Sequence, residues 1–408
     1  MKNTKKFNIS MIMFTLSLIY FTSYISRKSL GVLITELINA TSLSKEQLSI
    51  PLTIIFITYG FVQMFAGIIC DKVNTKYITI SALLISGLTN LIISFCYNNI
   101  VLLSILWGIN GIVQAFIWPA LVKIMATSLD DKHYDKAATL ITIGGYSGQC
   151  FLYIIAYFIV KSIGFRHLFT FAFLLCLLTA LLNLFVIKNN KSNEITEEEI
   201  CIEKSNVKQS SFVSLMFIII LIIIVFAGAY RGSIESWTPT FIYEVFNISS
   251  DKAIIVSLAL PLLSIVFVEI SLIAYKKLVK NPIYLAAILM GLGALSSILL
   301  IIFNNKSEYV SLILMAMGFG FSSAALHTIT SYIPLFYKNT GKISMIASLL
   351  NAFTYVGSAI ATYFIGYICS NDVYGWNGAI ICWIILGMAS TILLINIFKP
   401  WNKKQLNH

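Results

Sequence analysis

The sequence predicts an all-α membrane protein with twelve transmembrane helices in two six-helix bundles, related by a pseudo-two-fold axis along the membrane normal. Three observations support this prediction. Hydrophobic residues make up 58% and charged residues 11% of the 408 residues, whereas soluble proteins carry roughly a quarter charged residues. Apolar stretches of about twenty residues, long enough to cross the roughly 30 Å hydrocarbon core of a bilayer, recur along the chain. Positive charges gather in alternate loops between these stretches.

Twelve apolar stretches can be counted, and we number them as spans 1 to 12 in chain order. They lie near residues 7–38, 47–70, 77–97, 100–126, 137–160, 166–188, 212–243, 252–275, 281–303, 308–333, 342–369 and 377–398. One long polar segment, 189–211, separates span 6 from span 7 and has the character of a solvated linker. We therefore expect an N-terminal six-helix bundle over 1–188, a cytoplasmic linker over 189–211 and a C-terminal six-helix bundle over 212–408.

The lysines and arginines of the loops predict how the chain is oriented. If the N-terminus is inside, 19 lysines fall in inner segments and only five lysines or arginines fall in outer loops. Cytoplasmic loops of membrane proteins carry such an excess of positive charge. We therefore expect a protein of the cell membrane, surrounded by the lipid bilayer, with both termini in the cytoplasm.

Other classes of function lack their sequence signals. The net charge of +11 does not indicate nucleic-acid binding, because apolar runs separate the basic residues. The chain contains no P-loop, no metal-ligand cluster and no Gly-x-Ser-x-Gly motif. The seven cysteines form no Cys-x-x-Cys pair, and most lie in or beside apolar spans, as packing residues do. We therefore expect no enzymatic activity, no catalytic residue, no metal and no cofactor.

Two arginines lie at matching places in the two halves. Arg27 lies 20 residues after Phe7, where span 1 begins, and Arg231 lies 19 residues after Phe212, where span 7 begins. Both fall past the middle of long helices, where burying a guanidinium costs about 3 kcal/mol. Because a guanidinium fork binds phosphate or carboxylate through two bonds, the pair indicates an anion site between the halves. The structural alternative is an ion pair, such as Arg231 with Glu235 one turn later.

Motifs around these arginines have a family likeness. They are Tyr24-Ile25-Ser26-Arg27-Lys28, Tyr59-Gly60-Phe61, Gly67-Ile68-Ile69-Cys70-Asp71-Lys72, Gln114 with Trp118-Pro119, Arg231-Gly232-Ser233-Ile234-Glu235-Ser236-Trp237-Thr238-Pro239-Thr240, and Tyr355-Val356-Gly357. Together they resemble the major facilitator superfamily, and within it the organophosphate:phosphate antiporters that carry glycerol 3-phosphate and hexose phosphates. The resemblance covers nearly the whole chain.

The resemblance implies a secondary transporter that moves a small organic anion by alternating access, with an organophosphate exchanged for inorganic phosphate as the leading hypothesis. It implies a set of substrate-binding residues, namely Arg27, Arg231, Tyr24, Tyr59, Gln63 and Tyr355. It also implies that Asp71 and Lys72, in a short cytoplasmic loop, act as a gate between conformations. Lys123, near the cytoplasmic end of span 4, is expected to extend to the membrane interface. We expect a monomer.

The departures from the family pattern bear on the substrate. The family has a lysine at Gln63, a histidine near Ser147 and an acidic residue at Ser236, where this chain has Glu235 one place earlier. A dianionic phosphate would therefore meet less positive charge than in a typical member. The rival substrate is a monoanion, or a zwitterion whose amine is taken by Glu235 or Glu269. This leaves open a proton-coupled symporter of amino acids, nucleosides or another small metabolite.

Ionisable residues inside spans are rare and usually functional. Glu269 in span 8 is either a proton carrier or a charge partner for an arginine. His327 in span 10 either titrates near neutral pH or hydrogen-bonds a neighbouring helix. We group Glu235, Glu269 and His327 as candidates for coupling or charge pairing. A third hypothesis is a transporter-like membrane sensor of sugar phosphate, which the short tails disfavour because a sensor needs a surface for its partner.

Overall fold

The computed structural model describes residues 2–187, 215–303, 306–340, 343–371 and 373–406. Within these ranges the chain is helical almost throughout. The predicted linker 189–211 lies outside the described residues. In the described ranges, twelve spans are long and apolar enough to cross a membrane, which confirms the prediction of an all-α protein with twelve spans.

Most spans begin and end within a few residues of the predicted positions. The larger differences are that span 1 ends at Val32 and is followed by a short helix, Ile34–Ala40, that span 5 begins at Asp131, and that span 12 continues to Leu406. Three spans are irregular. Span 4 consists of two helices, span 8 contains a break and ends in a π-helical turn at Tyr275–Val279, and span 10 continues as a 3₁₀-helix at Ile333–Thr340. In chain order the helices of the spans are Lys2–Val32, Lys45–Lys72, Thr75–Cys96, Ile100–Gln114 with Ile117–Ser128, Asp131–Ile163, Arg166–Val186, Leu215–Phe246, Ser250–Val256 with Ala259–Ala274, Pro282–Phe303, Glu308–Tyr332, Ile343–Cys369 and Gly375–Leu406.

Large apolar side chains cover the outside of the helices as well as the core. Phe95, Phe185 and Leu278 are each at least 80% exposed. A soluble protein rarely exposes such continuous apolar surface, whereas side chains that face lipid need no cover. The exposed phenylalanines and leucines therefore have the character of a lipid-facing surface.

The contacts divide the chain into two compact units. The first lies within Met1–Thr41 and Phe61–Ser205, and the second within Ser42–Gly60 and Asn206–His408. The beginning of span 2, up to Gly60, is thus grouped with the second unit, although the sequence suggested an undivided N-terminal bundle over 1–188. The physical reason is local: Thr53 Oγ1 donates a hydrogen bond to the Ala359 carbonyl of span 11, at 3.3 Å.

Four main helix pairs of the first unit recur in the second. In the first unit span 1 packs on spans 5 and 6, and span 3 packs on spans 4 and 6. In the second unit span 7 packs on spans 11 and 12, and span 9 packs on spans 10 and 12. Adding six to each span number of the first unit gives the pairs of the second. The half-chain repeat that the arginines indicated therefore extends to the packing of the helices.

Candidate transport site

Arg27 lies against aromatic side chains of its own helix. Its Cζ atom is 4.1 Å from the centroid of the Tyr24 ring, one turn earlier in span 1, a distance at which a guanidinium is attracted to the face of a tyrosine. The Tyr24 ring in turn meets Tyr20 edge to face, with centroids 5.1 Å apart. Span 5 leaves room for both rings at Gly145, where a Cβ atom would come within 2.8 Å of each. Two predicted site residues, Arg27 and Tyr24, are therefore neighbours.

A buried polar network holds the other side of span 1. Gln114 Nε2 donates to the hydroxyls of Ser26, at 2.9 Å, and Ser86, at 2.8 Å, and its Oε1 accepts from Ser23 at 2.5 Å. Asn90 Nδ2 donates to the Ser26 carbonyl at 2.9 Å. All members are buried, and they are Ser23, Ser26, Ser29, Ser86, Asn90, Asn110 and Gln114. Because hydrogen bonds are directional, the network fixes the rotation of span 1, and with it the direction in which Arg27 points.

Gln114 belongs to one of the sequence motifs, but the motifs alone do not reveal this network. The available signal was the spacing of Ser23, Ser26 and Ser29, three small hydroxyl residues every third position in an apolar span. Such residues form interhelical hydrogen bonds in membranes. The sequence does not say which helix supplies the partners.

Arg231 has three neighbours in the second unit. Its Nε donates to the Ser323 hydroxyl at 2.8 Å, and its Cζ lies 4.9 Å from the centroid of the Phe319 ring. Its Nη1 is 3.9 Å from Glu235 Oε2, longer than the 2.7–2.9 Å of a charge-assisted hydrogen bond. The Arg231 side chain keeps 27% of its surface exposed, against 7% for Glu235. The ion pair considered from the sequence is therefore formed, but it is loose and leaves part of the guanidinium accessible.

Span 7 is anchored at the same positions relative to its arginine as span 1. Tyr230 precedes Arg231, and its hydroxyl donates to the Gly293 carbonyl at 2.6 Å and lies 2.8 Å from the Ser297 hydroxyl. Ser233, two residues after Arg231, accepts from Trp383 Nε1 at 3.0 Å. Ser26 and Ser29 occupy the corresponding positions around Arg27. Both helices are therefore held by the residue before the arginine and by the residue two places after it.

Tyr59 and Tyr355 are brought together in the second unit. Their ring centroids lie 4.5 Å apart, and Phe56 lies 6.1 Å from Tyr355. Gly60 permits this approach, because a Cβ atom there would lie 3.0 Å from the Cβ atom of Tyr355. Tyr59 is buried, so the two predicted site tyrosines form one aromatic contact.

Three residues depart from the family pattern, namely Gln63, Ser147 and Ser236, and their hydrogen bonding differs. Gln63 is 7% exposed, and its Oε1 is buried without a hydrogen-bond partner among the residues that the structure describes. Ser147 donates to the Gly144 carbonyl of its own helix at 3.1 Å. Ser236 donates to the Gly232 carbonyl at 2.9 Å, while its neighbour Trp237 donates from Nε1 to the Thr362 carbonyl at 3.0 Å. Of the three, Gln63 has an unused buried acceptor.

Glu269 and His327 lie on spans 8 and 10, which pack against each other in the second unit. Glu269 is exposed on span 8, and His327 is partly buried on span 10. His327 Nε2 lies 3.5 Å from the Ser331 hydroxyl of its own helix, too long for a strong hydrogen bond. The described part of the chain contains no group of three or more His, Cys, Asp or Glu residues that could hold a metal ion.

The predicted gate residues lie at the end of span 2, where Asp71 and Lys72 are exposed. Lys123 Nζ donates to the backbone carbonyls of Cys70 and Asp71, at 2.7 Å each. These carbonyls are among the last of the helix and lack partners within it, so a cation there stabilises the helix end. Lys123 therefore caps span 2, a role that its position in the sequence did not reveal.

Comparison with known proteins identifies the family. Residues 16–346 match the profile of the Major Facilitator Superfamily. A Chlamydia pneumoniae protein described as a probable hexose phosphate transport protein is 24% identical over 97% of this chain and 92% of its own length. The membrane sensor protein UhpC of Salmonella typhimurium is 26% identical over 28% of this chain and 26% of its own. The crystal structure of a variant of the nucleoside transporter NupG has the same fold, with a TM-score of 0.75 at 12% identity over 97% of this chain and 100% of that chain. The chain therefore belongs to the Major Facilitator Superfamily and is a multi-pass membrane transporter, not an enzyme.

Proposed function

We propose that this protein is a secondary transporter that exchanges a small organic phosphate ester for inorganic phosphate by alternating access. The observation that carries the proposal is the pair of arginines, Arg27 and Arg231, each at the same position of a similarly anchored helix. The relative from Chlamydia pneumoniae, similar along nearly the whole chain, is described as a probable hexose phosphate transport protein. A phosphate ester is the class of substrate that a guanidinium fork binds well.

The surroundings of Arg231 support an anion site. A guanidinium has five N–H donors. The Nε–H group of Arg231 donates to the Ser323 hydroxyl. The four donors on Nη1 and Nη2 include a pair that can bind two oxygens of one phosphate. Glu235, at 3.9 Å, offsets some of the charge but does not form a short bond. An anion that approaches this side chain therefore gains more than it would from a fully paired arginine.

We further propose that both termini face the cytoplasm, that the protein lies in the cell membrane, and that it works as a monomer. The excess of lysine in alternate loops supports the orientation. Asp71 and Lys72 remain the proposed gate residues, and the cap that Lys123 forms on span 2 supports this role by keeping the helix end in shape.

A second candidate is a proton-coupled symporter of a zwitterion. It is supported by Glu235 beside Arg231 and by Glu269 and His327 on the neighbouring spans 8 and 10, because a carboxylate can hold an amine or a proton. A third candidate, a sensor of sugar phosphate, is supported by the local similarity to UhpC. These candidates differ in the solute that is carried and in whether a counter-substrate is needed.

The test is uptake into proteoliposomes that contain the purified protein. Vesicles preloaded with phosphate, and empty vesicles, would be offered labelled glycerol 3-phosphate, glucose 6-phosphate, an amino acid and a nucleoside. We expect uptake of a phosphate ester that depends on internal phosphate and not on a pH gradient. Uptake of an amino acid or nucleoside driven by a pH gradient would replace the proposal with the symporter, and binding of a sugar phosphate without uptake would favour the sensor.

A further inference from the structure

We propose that Ser323 is a positioning residue for anion binding: it holds the Arg231 guanidinium so that its terminal nitrogens remain available to the transported anion. This inference rests on the proposed function and deepens it. Ser323 lies in span 10, belongs to none of the motifs that indicated the family, and touches Arg231 through a single hydrogen bond.

The direction of that hydrogen bond is determined by a second one. The Ser323 hydroxyl donates its only proton to the Phe319 carbonyl, at 2.8 Å. Its oxygen therefore presents lone pairs to Arg231, and it accepts from Nε at 2.8 Å. Ser323 is therefore the donor to Phe319 and the acceptor from Arg231. The Nε–H group of Arg231 must point toward the Ser323 oxygen to keep this hydrogen bond.

The Phe319 side chain supplies a second constraint from the same helical turn. Phe319 is buried, and its ring centroid lies 4.9 Å from Arg231 Cζ. Phe319 thus acts twice: its carbonyl orients the Ser323 hydroxyl, and its ring lies beside the guanidinium. One turn of span 10 limits both the position and the orientation of the charged group.

Ser323 also opposes a closer approach of Arg231 to Glu235. The separation of 3.9 Å between Nη1 and Glu235 Oε2 is about 1 Å longer than a charge-assisted hydrogen bond. Without the acceptor on span 10, the guanidinium gains by turning toward the carboxylate and closing the ion pair. In a closed pair Glu235 occupies the terminal nitrogens of Arg231 and competes with an incoming anion. Loss of Ser323 therefore weakens anion binding.

The first experiment compares neighbouring serines. Ser322 is buried and donates to the same Phe319 carbonyl, at 2.9 Å. Among the residues that the structure describes it forms no hydrogen bond with Arg231, so Ser322→Ala is a matched control for Ser323→Ala. Binding of radiolabelled inorganic phosphate to the purified full chain would be measured by scintillation proximity. We expect Ser323→Ala to raise Kd about tenfold, because the closed Arg231–Glu235 pair, a hydrogen bond between charged groups, then competes with phosphate. Ser322→Ala should stay within about twofold of the parent protein, and Ser323→Thr, which keeps the hydroxyl, should restore binding.

The second experiment tests the mechanism with a double-mutant cycle. In a Glu235→Gln background the competing carboxylate is gone, so Ser323→Ala should raise Kd by no more than about twofold. Thermal unfolding of each variant in detergent reports on folding, and we expect the Ser322→Ala and Ser323→Ala proteins to unfold at similar temperatures. Equal phosphate affinities for Ser322→Ala and Ser323→Ala, or a tenfold effect in both backgrounds, would overturn this inference alone. Failure of the parent protein to bind phosphate would overturn the proposed function and this inference with it.

Discussion

The two membrane arginines have different neighbours. Arg27 stacks on Tyr24, whereas Arg231 is held by Ser323 and lies near Glu235. A tyrosine ring attracts the guanidinium without neutralising it, while a nearby carboxylate lowers the local potential. We expect Arg231, with Glu235 3.9 Å away, to tolerate a positive group of the substrate beside it.

Replacing either arginine by lysine should nearly abolish transport. Lysine keeps the charge but loses the planar fork that binds two oxygens, so we expect Arg27→Lys and Arg231→Lys each to lower phosphate exchange at least about a hundredfold. Insertion into the membrane should be unaffected. The control is Arg166→Lys, at the start of span 6 next to Tyr97, which should transport normally. Normal exchange by a variant of Arg27 or Arg231 would remove that residue from the site.

A lysine at position 63 should strengthen phosphate binding. The buried Oε1 of Gln63 has no partner in the described part of the chain, and the resembled family carries a lysine here. If the substrate is a phosphate ester, Gln63→Lys should lower the Kd for phosphate, because an added cation favours the dianion. If the substrate is a zwitterion, the same change should weaken its binding, because it buries an unpaired charge.

Competition between phosphate and glycerol 3-phosphate for the purified protein would measure this effect. Gln47→Lys is the control, because it adds the same charge at a different position. Gln47 lies near the start of span 2, where it accepts from the Ser44 backbone amide. An equal gain from both lysines would mean that general attraction, rather than position 63, is responsible.

At the scale of helices, spans 7 and 11 approach so closely that side chains are excluded between them. A Cβ atom at Gly228 would overlap the Thr354 carbonyl, and one at Gly232 would overlap the Ser358 side chain. Small residues one turn apart permit such packing in membranes. The close approach also lets the Ser358 hydroxyl donate to the Gly228 carbonyl, at 2.9 Å. The segment that carries Arg231 is therefore tightly fastened to span 11.

Gly228→Ala should destabilise the protein, since overpacking a close helix contact costs about 1–3 kcal/mol. The control is Gly291→Ala in span 9, where the new methyl group would meet only Thr391, at an ordinary 3.5 Å. That change should be neutral or slightly stabilising, because alanine favours a helix over glycine by roughly 0.5–1 kcal/mol. Unfolding temperatures in detergent, followed by tryptophan fluorescence, measure both. A Gly228→Ala protein as stable as the parent would show that spans 7 and 11 separate easily.

For the whole molecule, the distribution of lysines predicts which loops face the cytoplasm. Single cysteines at Ile200→Cys and Lys306→Cys, in a chain without its seven native cysteines, would report the sides of the membrane. With an impermeant maleimide on whole cells, we expect labelling at position 306 and none at position 200. Position 200 should react only after the cells are opened. Labelling of position 200 from outside would contradict the predicted orientation and the division into two six-helix halves.

The sequence by itself determined the class of the protein. The number of spans, the membrane environment and the family all followed from it, and the structure and the comparisons confirmed them. The reason is that hydropathy and motif spacing are properties of short stretches. In a bilayer such an apolar stretch forms a helix, because its backbone polar groups must be hydrogen-bonded within the segment. The positions of Arg27 and Arg231 along their helices were equally readable, because depth in a straight helix follows from residue count.

The neighbours of those arginines were decided only by the tertiary structure. Ser323 is 92 residues from Arg231, and Gln114 is 91 residues from Ser23. Whether such pairs meet depends on the rotation and relative height of two helices, which span counts and charge bias leave undetermined. The same holds for the grouping of 42–60 with the second unit and for the cap that Lys123 forms on span 2. Helices are specified locally, whereas the contacts that orient a charged side chain are specified by how all the helices pack together.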